Sequence, residues 1–477
     1  MSTAGKAVGA LASRKVGAPR FLYTWSLSRD CNPVSKVAAP PRSPRSEQLY
    51  REAIEVMPGG SSRATIFYAP YPLYAASAQG CRVTDVDGVE RIDFVNNMSS
   101  LIHGHNHPVV NAAVKAQLDR LTAVAMPTES EIALAQELCQ RLASVDRVVF
   151  TNSGTEAVMM AIRAARAYSG RSAVAKAEGA YHGAYDFAEV SVNSSPETWG
   201  RAEAPSAVSA TEGIPGYVNE DVIVIPYNDL EATEALIEAN RDRLACIVID
   251  PVVSRAGLIR GRPEYLARLR ELCDAYGIVL IFDEVLSFRL GYNGAQGQSG
   301  IRPDLTALGK IIGGGFPVGA VAGSAKVMSV FDVRMPHVKI HHGGTYNANP
   351  ITMTAGLKTL ELLPPAAYAR LDALGCRTKT VLTEALAEAK LHGFVRADGS
   401  LLSIFFGGQD SDRFRELPRS DRQTAMQRYL HSALLDEGII STPFSAFILS
   451  TAMTEADIDS LGEAAARCFG ALKRQFG

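Results

Sequence analysis

The chain has 477 residues, 47% of them hydrophobic and 21% charged, with a formal net charge of −2. That length supports a large core in two lobes, and the composition is that of a globular protein. The near-zero charge gives no electrostatic case for nucleic acid or an anionic surface, and no apolar run is long enough to span a bilayer.

Residues 1–46 carry eight Lys or Arg against one Asp, with five prolines. They read as a disordered basic arm. An Arg-rich, acid-poor start also fits an organellar transit peptide; otherwise the expected compartment is the cytoplasm. The seven cysteines are scattered without a C-x-x-C pair, which suits reduced thiols rather than a disulfide framework or a zinc site.

Residues 47–99 open the folded part and read as the N-terminal piece of a small domain. A short helix ends near Pro58-Gly59-Gly60. Arg63 follows this glycine turn; it could meet a substrate carboxylate by a bidentate pair, or be a solvated arginine. Val83–Asp87-Gly88 and Arg91-Ile92-Asp93-Phe94 predict a hairpin with an Asp-Gly turn. His103, His105 and His107 alternate, but no fourth ligand is near and Gly104 and Pro108 suggest a tight turn, so no metal site is expected.

Residues 100–350 read as the large domain. From about 147 to 325, strands alternate with helices, the pattern of an α/β protein with a parallel sheet. Thr151-Asn152-Ser153-Gly154-Thr155-Glu156 follows a strand and opens a helix whose inner face is Val158, Ala161, Ile162 and Ala165, with Gly170 to stop it. Small hydroxyl and glycine residues at such a start can bind an anion or simply cap the helix. Tyr181, in Tyr181-His182-Gly183, could lie flat on an aromatic ring. Residues 190–218 form a long loop of the kind that often covers an active site. Ser153, Tyr181, Asp250 and Asp283 all fall at predicted strand ends, where ligands of parallel sheets sit.

The segment 278–319 organises the chain. An apolar strand ends in Asp283-Glu284-Val285, and Leu308-Gly309-Lys310 precedes Gly313-Gly314-Gly315. A Walker loop fails here, because Ile311 follows Lys310 and Asp304 stands where the first glycine belongs; the dinucleotide fingerprint fails at Val318. A lysine amine that can form a Schiff base and a carboxylate that can keep a ring nitrogen protonated together suit pyridoxal 5'-phosphate (PLP). Residues 351–477 read as a smaller α+β domain. Its last helix starts at the capping box Thr454-x-x-Asp457 and carries the stripe Ile458, Leu461, Ala465, Phe469, Leu472.

As a set, the motifs Asp87-Gly88, Gly104-His105-x-His107-Pro108, Asn152-Ser153-Gly154-Thr155-Glu156-Ala157, Tyr181-His182-Gly183, Phe282-Asp283-Glu284-Val285, Leu308-Gly309-Lys310 and Gly344-Thr345 resemble those of class III PLP-dependent aminotransferases, over roughly residues 47–475. The resemblance implies the aspartate-aminotransferase-like PLP-transferase fold and a homodimer with shared active sites. It implies that Lys310 forms the Schiff base, Asp283 pairs with the pyridinium, and Tyr181 and Val285 pack on the two ring faces. Ser153, Gly154 and Thr155 would hold phosphate, His182 would join the cofactor site, and Thr345 would reach the partner's phosphate.

Within the class, Pro58-Gly59-Gly60, Tyr227-Asn228-Asp229-Leu230 and residues 309–315 resemble the glutamate-1-semialdehyde 2,1-aminomutase branch. Residues 62–70 are similar to β-phenylalanine aminotransferases, in which the arginine matching Arg63 holds a substrate carboxylate. There are departures: Asp250-Pro251 replaces the family's usual Glu-Pro, Ser287-Phe288-Arg289 replaces Gly-Phe-Arg, and residues 442–447 lack an arginine carried there by the β-phenylalanine enzymes. Residues 344–350 also differ from the aminomutase form. Three readings stay open: transfer from an amine or β-amino acid donor to a keto acid acceptor, intramolecular transfer as in an aminomutase, and a catalytically silent binding module. Intact Lys310 and Asp283 argue against the last.

Overall fold

The computed structural model describes residues 43–477 apart from Arg419. A seven-stranded sheet is made of β1 (Arg147–Thr151), β2 (Ala173–Ala177), β3 (Val222–Ile225), β4 (Leu244–Ile249), β5 (Val279–Asp283), β6 (Leu305–Gly309) and β7 (Gly319–Gly323). Their spatial order is β1-β7-β6-β5-β4-β2-β3. β7 runs antiparallel to both neighbours, and the other six point one way. β2 through β7 are buried along their whole length, as expected of strands covered on both faces. The helix Gly154–Ser169 buries Val158, Ala161, Ile162 and Ala165 on this sheet and ends at Gly170, whose φ of +72° needs a glycine.

Segments from early and late in the described chain meet beside this α/β body. Strands Ala75–Gln79, Arg82–Asp85 and Glu90–Asp93 form a meander, with Asp87-Gly88 in its second turn, and Ile439–Ile440 pairs with its last strand. A second small sheet joins Gly393–Asp398, Leu401–Phe406 and Ala446–Ile448. The helix Glu455–Phe476 carries the predicted capping box and buries its predicted stripe. Among the described residues, no helix is long and apolar enough to cross a membrane.

Three expectations need correction. The helix Pro44–Ile54 starts inside the stretch read as a disordered arm. The Ser43 hydroxyl and the Arg45 N–H both donate to the Asp87 carboxylate, and Ser46 is buried, its hydroxyl accepting the Tyr74 N–H at 3.0 Å. The remainder of that arm, residues 1–42, lies outside the described residues. The helix Pro350–Glu361, which straddles the boundary expected at 350, packs on the large body, against helices Pro108–Leu118 and Glu129–Arg141 and the turn Lys310–Gly313. Two glycines permit the approach: a Cβ on Gly356 would lie 1.9 Å from the Ile312 carbonyl oxygen, and one on Gly314 2.5 Å from that of Ala355. Finally, residues 190–218 do not line the cavity described below. Val190 and Val218 pack with Val222 and Val224 instead, and the Lys176 ammonium donates to the Val190 carbonyl at 2.7 Å.

Two of the three alternating histidines, His103 and His105, have structural partners. The His103 ring nitrogens meet Thr451 Oγ1 at 2.7 Å and the Thr359 carbonyl at 3.0 Å, and His105 Nε2 meets Asp93 Oδ2 at 2.8 Å.

Candidate active site

The carboxyl ends of β1, β2, β4, β5 and β6 open on one cavity of about 440 Å³. After β1, the Ser153 hydroxyl accepts the Glu156 N–H at 3.1 Å, and the Glu156 carboxylate accepts the Asn152 N–H at 2.6 Å. Ser153, Gly154 and Thr155 line the cavity. The first-turn N–H groups of a helix lack intrahelical partners and favour an anion. Gly154 leaves room that a side chain would take, since a Cβ there would lie 2.6 Å from Val285 Cγ1.

Asp283 ends β5 and is buried. Its Oδ1 accepts the Val285 N–H at 3.0 Å, and its Oδ2 lies 2.7 Å from His182 Nδ1. His182 is itself buried, and its Nε2 has no partner among the described residues. The neighbouring Glu284 is buried elsewhere, accepting the Ala295 and Gln296 N–H groups at 2.6 and 3.1 Å. This division follows from strand alternation: successive side chains leave on opposite faces.

Lys310 follows β6 in a left-handed conformation, φ +52°, and lines the same cavity. Burial lowers its amine to about 8, against an opposing pull from Asp283 and Asp250. Asp250 follows β4, and the pairing of Ile249 with Phe282 sets Asp250 beside Asp283. The Ser287 hydroxyl donates to Asp250 Oδ1 at 2.9 Å, and the Val252 N–H donates to the same oxygen at 3.0 Å. Burial, reinforced by the charge of Asp283, raises the Asp250 carboxyl well above its ordinary range.

One wall of the cavity had no clear sequence signal. Asn96, Asn97, Met98 and Ser99 have φ of +49°, +49°, +53° and +73°, a run of four left-handed residues without a glycine. Such a conformation costs roughly 1–2 kcal/mol per residue. Buried polar contacts hold it. The Asp93 carboxylate accepts the Val95 and Asn96 N–H groups at 2.7 and 3.1 Å. The Asn96 amide donates to the Ile448 carbonyl at 2.8 Å, and the buried Arg289 donates to the Ser99 carbonyl at 3.0 Å. Asn97 and Met98 line the cavity, and Arg63, also lining it, donates to Asn97 Oδ1 at 2.8 Å. Tyr181 lines the cavity with 48% of its surface exposed. Thr345 does not line it; it lies on an exposed loop tied to the site by Asn347 Oδ1, which accepts from the Asn152 amide at 2.8 Å.

Residues 67–464 match the family model for Aminotransferase class-III. The chain belongs to the class-III aminotransferases. This aminotransferase is 49% identical to an omega-transaminase from Sphaerobacter thermophilus, with a TM-score of 0.88 over 90% of this chain and 98% of that one. It is 33% identical to a beta-phenylalanine aminotransferase from Variovorax paradoxus, with a TM-score of 0.79 over 90% and 94% of the two chains. A glutamate-1-semialdehyde 2,1-aminomutase from Methanothermobacter thermautotrophicus is 38% identical over 432 residues, 90% of this chain and all of that one. Like its class, the aminotransferase is a PLP-dependent enzyme with the α/β PLP-transferase fold. The residues present fit that cofactor: a buried carboxylate, a lysine amine, an unpartnered His182 Nε2 and a glycine-lined helix start converge on one cavity.

Proposed function

We propose that this class-III aminotransferase moves an amino group from a carboxylated amine, with β-amino acids as the leading donor class, to a keto acid. The observation that carries the reading is that Arg63 and Lys310 line one cavity. Arg63 has no ion-pair partner among the described residues and is steadied by the neutral Asn97 amide, so its charge is available to a substrate carboxylate. The omega-transaminase and beta-phenylalanine aminotransferase relatives support it.

PLP, when bound, supplies an aldehyde and a pyridinium ring that draws electrons from the substrate carbon. Ser153, Gly154 and Thr155 would hold its phosphate, Tyr181 and Val285 its two ring faces, and Asp283, steadied by His182, its ring nitrogen. Lys310 presents an amine that burial keeps partly unprotonated near neutral pH, able to take a proton from a donor carbon and return it. We also propose a homodimer, in which the exposed Thr345 loop reaches the partner's phosphate site; sedimentation at micromolar concentration tests it, with a monomeric active enzyme as the contrary result.

The deciding experiment is the visible spectrum of the holoenzyme with α-, β- and ω-amines and no acceptor. Loss of the yellow band with β-amino acids, and its return with pyruvate or 2-oxoglutarate, is expected. The aminomutase relatives favour a second reading, which predicts product from glutamate-1-semialdehyde without any added keto acid.

A further inference from the structure

Asn97 sits in the left-handed turn on the cavity wall. The ends of that turn, Asn96 and Ser99, are buried, while Asn97 is exposed and lines the cavity with Arg63, Met98 and Ser100. The Asn97 backbone has φ +49° and ψ +57°, a conformation that asparagine adopts more readily than most residues. Its side chain is fixed by two neighbours. The Ser100 hydroxyl donates its proton to the Asn97 backbone carbonyl at 2.9 Å. That oxygen can then only accept from the Asn97 amide, whose Nδ2 lies 3.0 Å away. Oδ1 is therefore the amide atom that meets Arg63, whose Nη1 donates to it at 2.8 Å. The reversed amide would set two donors against each other at Arg63 and two acceptors at Ser100.

We infer that Asn97 determines donor specificity as a positioning residue: its amide oxygen, oriented by Ser100, holds the Arg63 guanidinium in place without neutralising it. This role rests on Arg63 binding the donor carboxylate, as proposed above. Arg63 makes no ion pair among the described residues, so a guanidinium held by a neutral amide offers its full charge and its remaining N–H donors to a substrate. An aspartate at position 97 would occupy nearly the same space and also tolerate the left-handed backbone. Its carboxylate would instead pair with Arg63 and compete with the carboxylate of the donor. The neutrality of this one side chain keeps the cavity receptive to carboxylated donors.

The test compares kcat/KM of the holoenzyme for two donors, one carrying a carboxylate and a matched amine lacking it. The ratio of the two is internal to each variant, so a partly folded preparation does not alter it. Asn97→Asp should lower the ratio about tenfold, the scale of a contact between charged groups. Asn97→Gly, which accepts a left-handed backbone without strain but has no amide, should lower it about threefold. Adding Asn97→Gly to Arg63→Ala should lower it no further, because the effect passes through Arg63. An equal further loss would show that Asn97 acts on the substrate by itself, and would overturn the inference. A ratio that falls in Arg63→Ala but not in Asn97→Asp removes Asn97 from specificity and leaves Arg63 in its role. A ratio that falls in neither removes both, and with them the carboxylate reading of Arg63.

Discussion

His182 Nδ1 and Asp283 Oδ2 are 2.7 Å apart, and both side chains are buried. The carboxylate is thereby oriented before any ligand arrives. His182→Ala should weaken PLP binding about tenfold, the scale of one hydrogen bond to a charged group. Absorbance titration of the cofactor-free protein measures this, with its melting temperature as the check on folding. Unchanged affinity would mean that the Val285 N–H orients Asp283 unaided.

Burying the Lys310 amine costs stability. Its amine lies at about 8 in the folded chain, below the ordinary 10.5. The unfolded chain therefore holds the extra proton between those values. The penalty is full below about pH 8 and fades as pH rises toward 10.5. Cofactor-free Lys310→Met should be more stable than cofactor-free wild type at pH 7 by ~1–3 kcal/mol, and the gap should close at alkaline pH. Urea denaturation at pH 7 and pH 10 checks it; the same variant should lose turnover.

Arg63→Ala should raise KM for β-amino acids about tenfold or more while leaving simple amines nearly unchanged, since a charge-assisted pair is worth on the order of 1.5–3 kcal/mol. Steady-state kinetics with a matched pair, one donor carrying a carboxylate and one lacking it, makes the comparison. Equal losses for both would take Arg63 out of substrate recognition.

Two buried histidines predict acid sensitivity. Burial lowers both His103 and His431 to about 4, against an ordinary 6.5. Their contribution is present above pH 6.5 and is lost as pH falls toward 4, by up to ~3 kcal/mol each. His431→Asn should flatten the fall in melting temperature between pH 6.5 and 4.5. A slope equal to wild type would place the acid-labile groups elsewhere.

The strand-end residues that line the cavity were readable because they follow local signals. Ser153, Tyr181, Asp250 and Asp283 follow apolar strands, and a strand end is visible as a run of β-branched residues broken by a polar one. Lys310 stood out by its glycine neighbours, of which Gly314 permits the close approach to Ala355. What stayed hidden depends on distant partners. Asn96 and Asn97 can adopt left-handed backbone, yet nothing nearby announces that Met98 and Ser99 follow them. That run exists because Arg289 and Ile448, far along the chain, hold it. The helix Pro350–Glu361 was placed at a domain edge for a related reason: its apolar residues do not say which body they face.

The turn Asn96–Ser99 has a consequence for how an active molecule comes into being. Its Asn96 side chain is anchored by the Ile448 carbonyl, and its Ser99 carbonyl by Arg289, which also donates to the Leu449 carbonyl. Ile448 stands 352 positions after Asn96. A nascent chain can therefore assemble the central sheet, and with it Asp283 and Lys310, while the wall that steadies Arg63 still lacks its supports. A truncation before residue 448 would spare the strands that carry Asp283 and Lys310 and remove the partners that hold this wall.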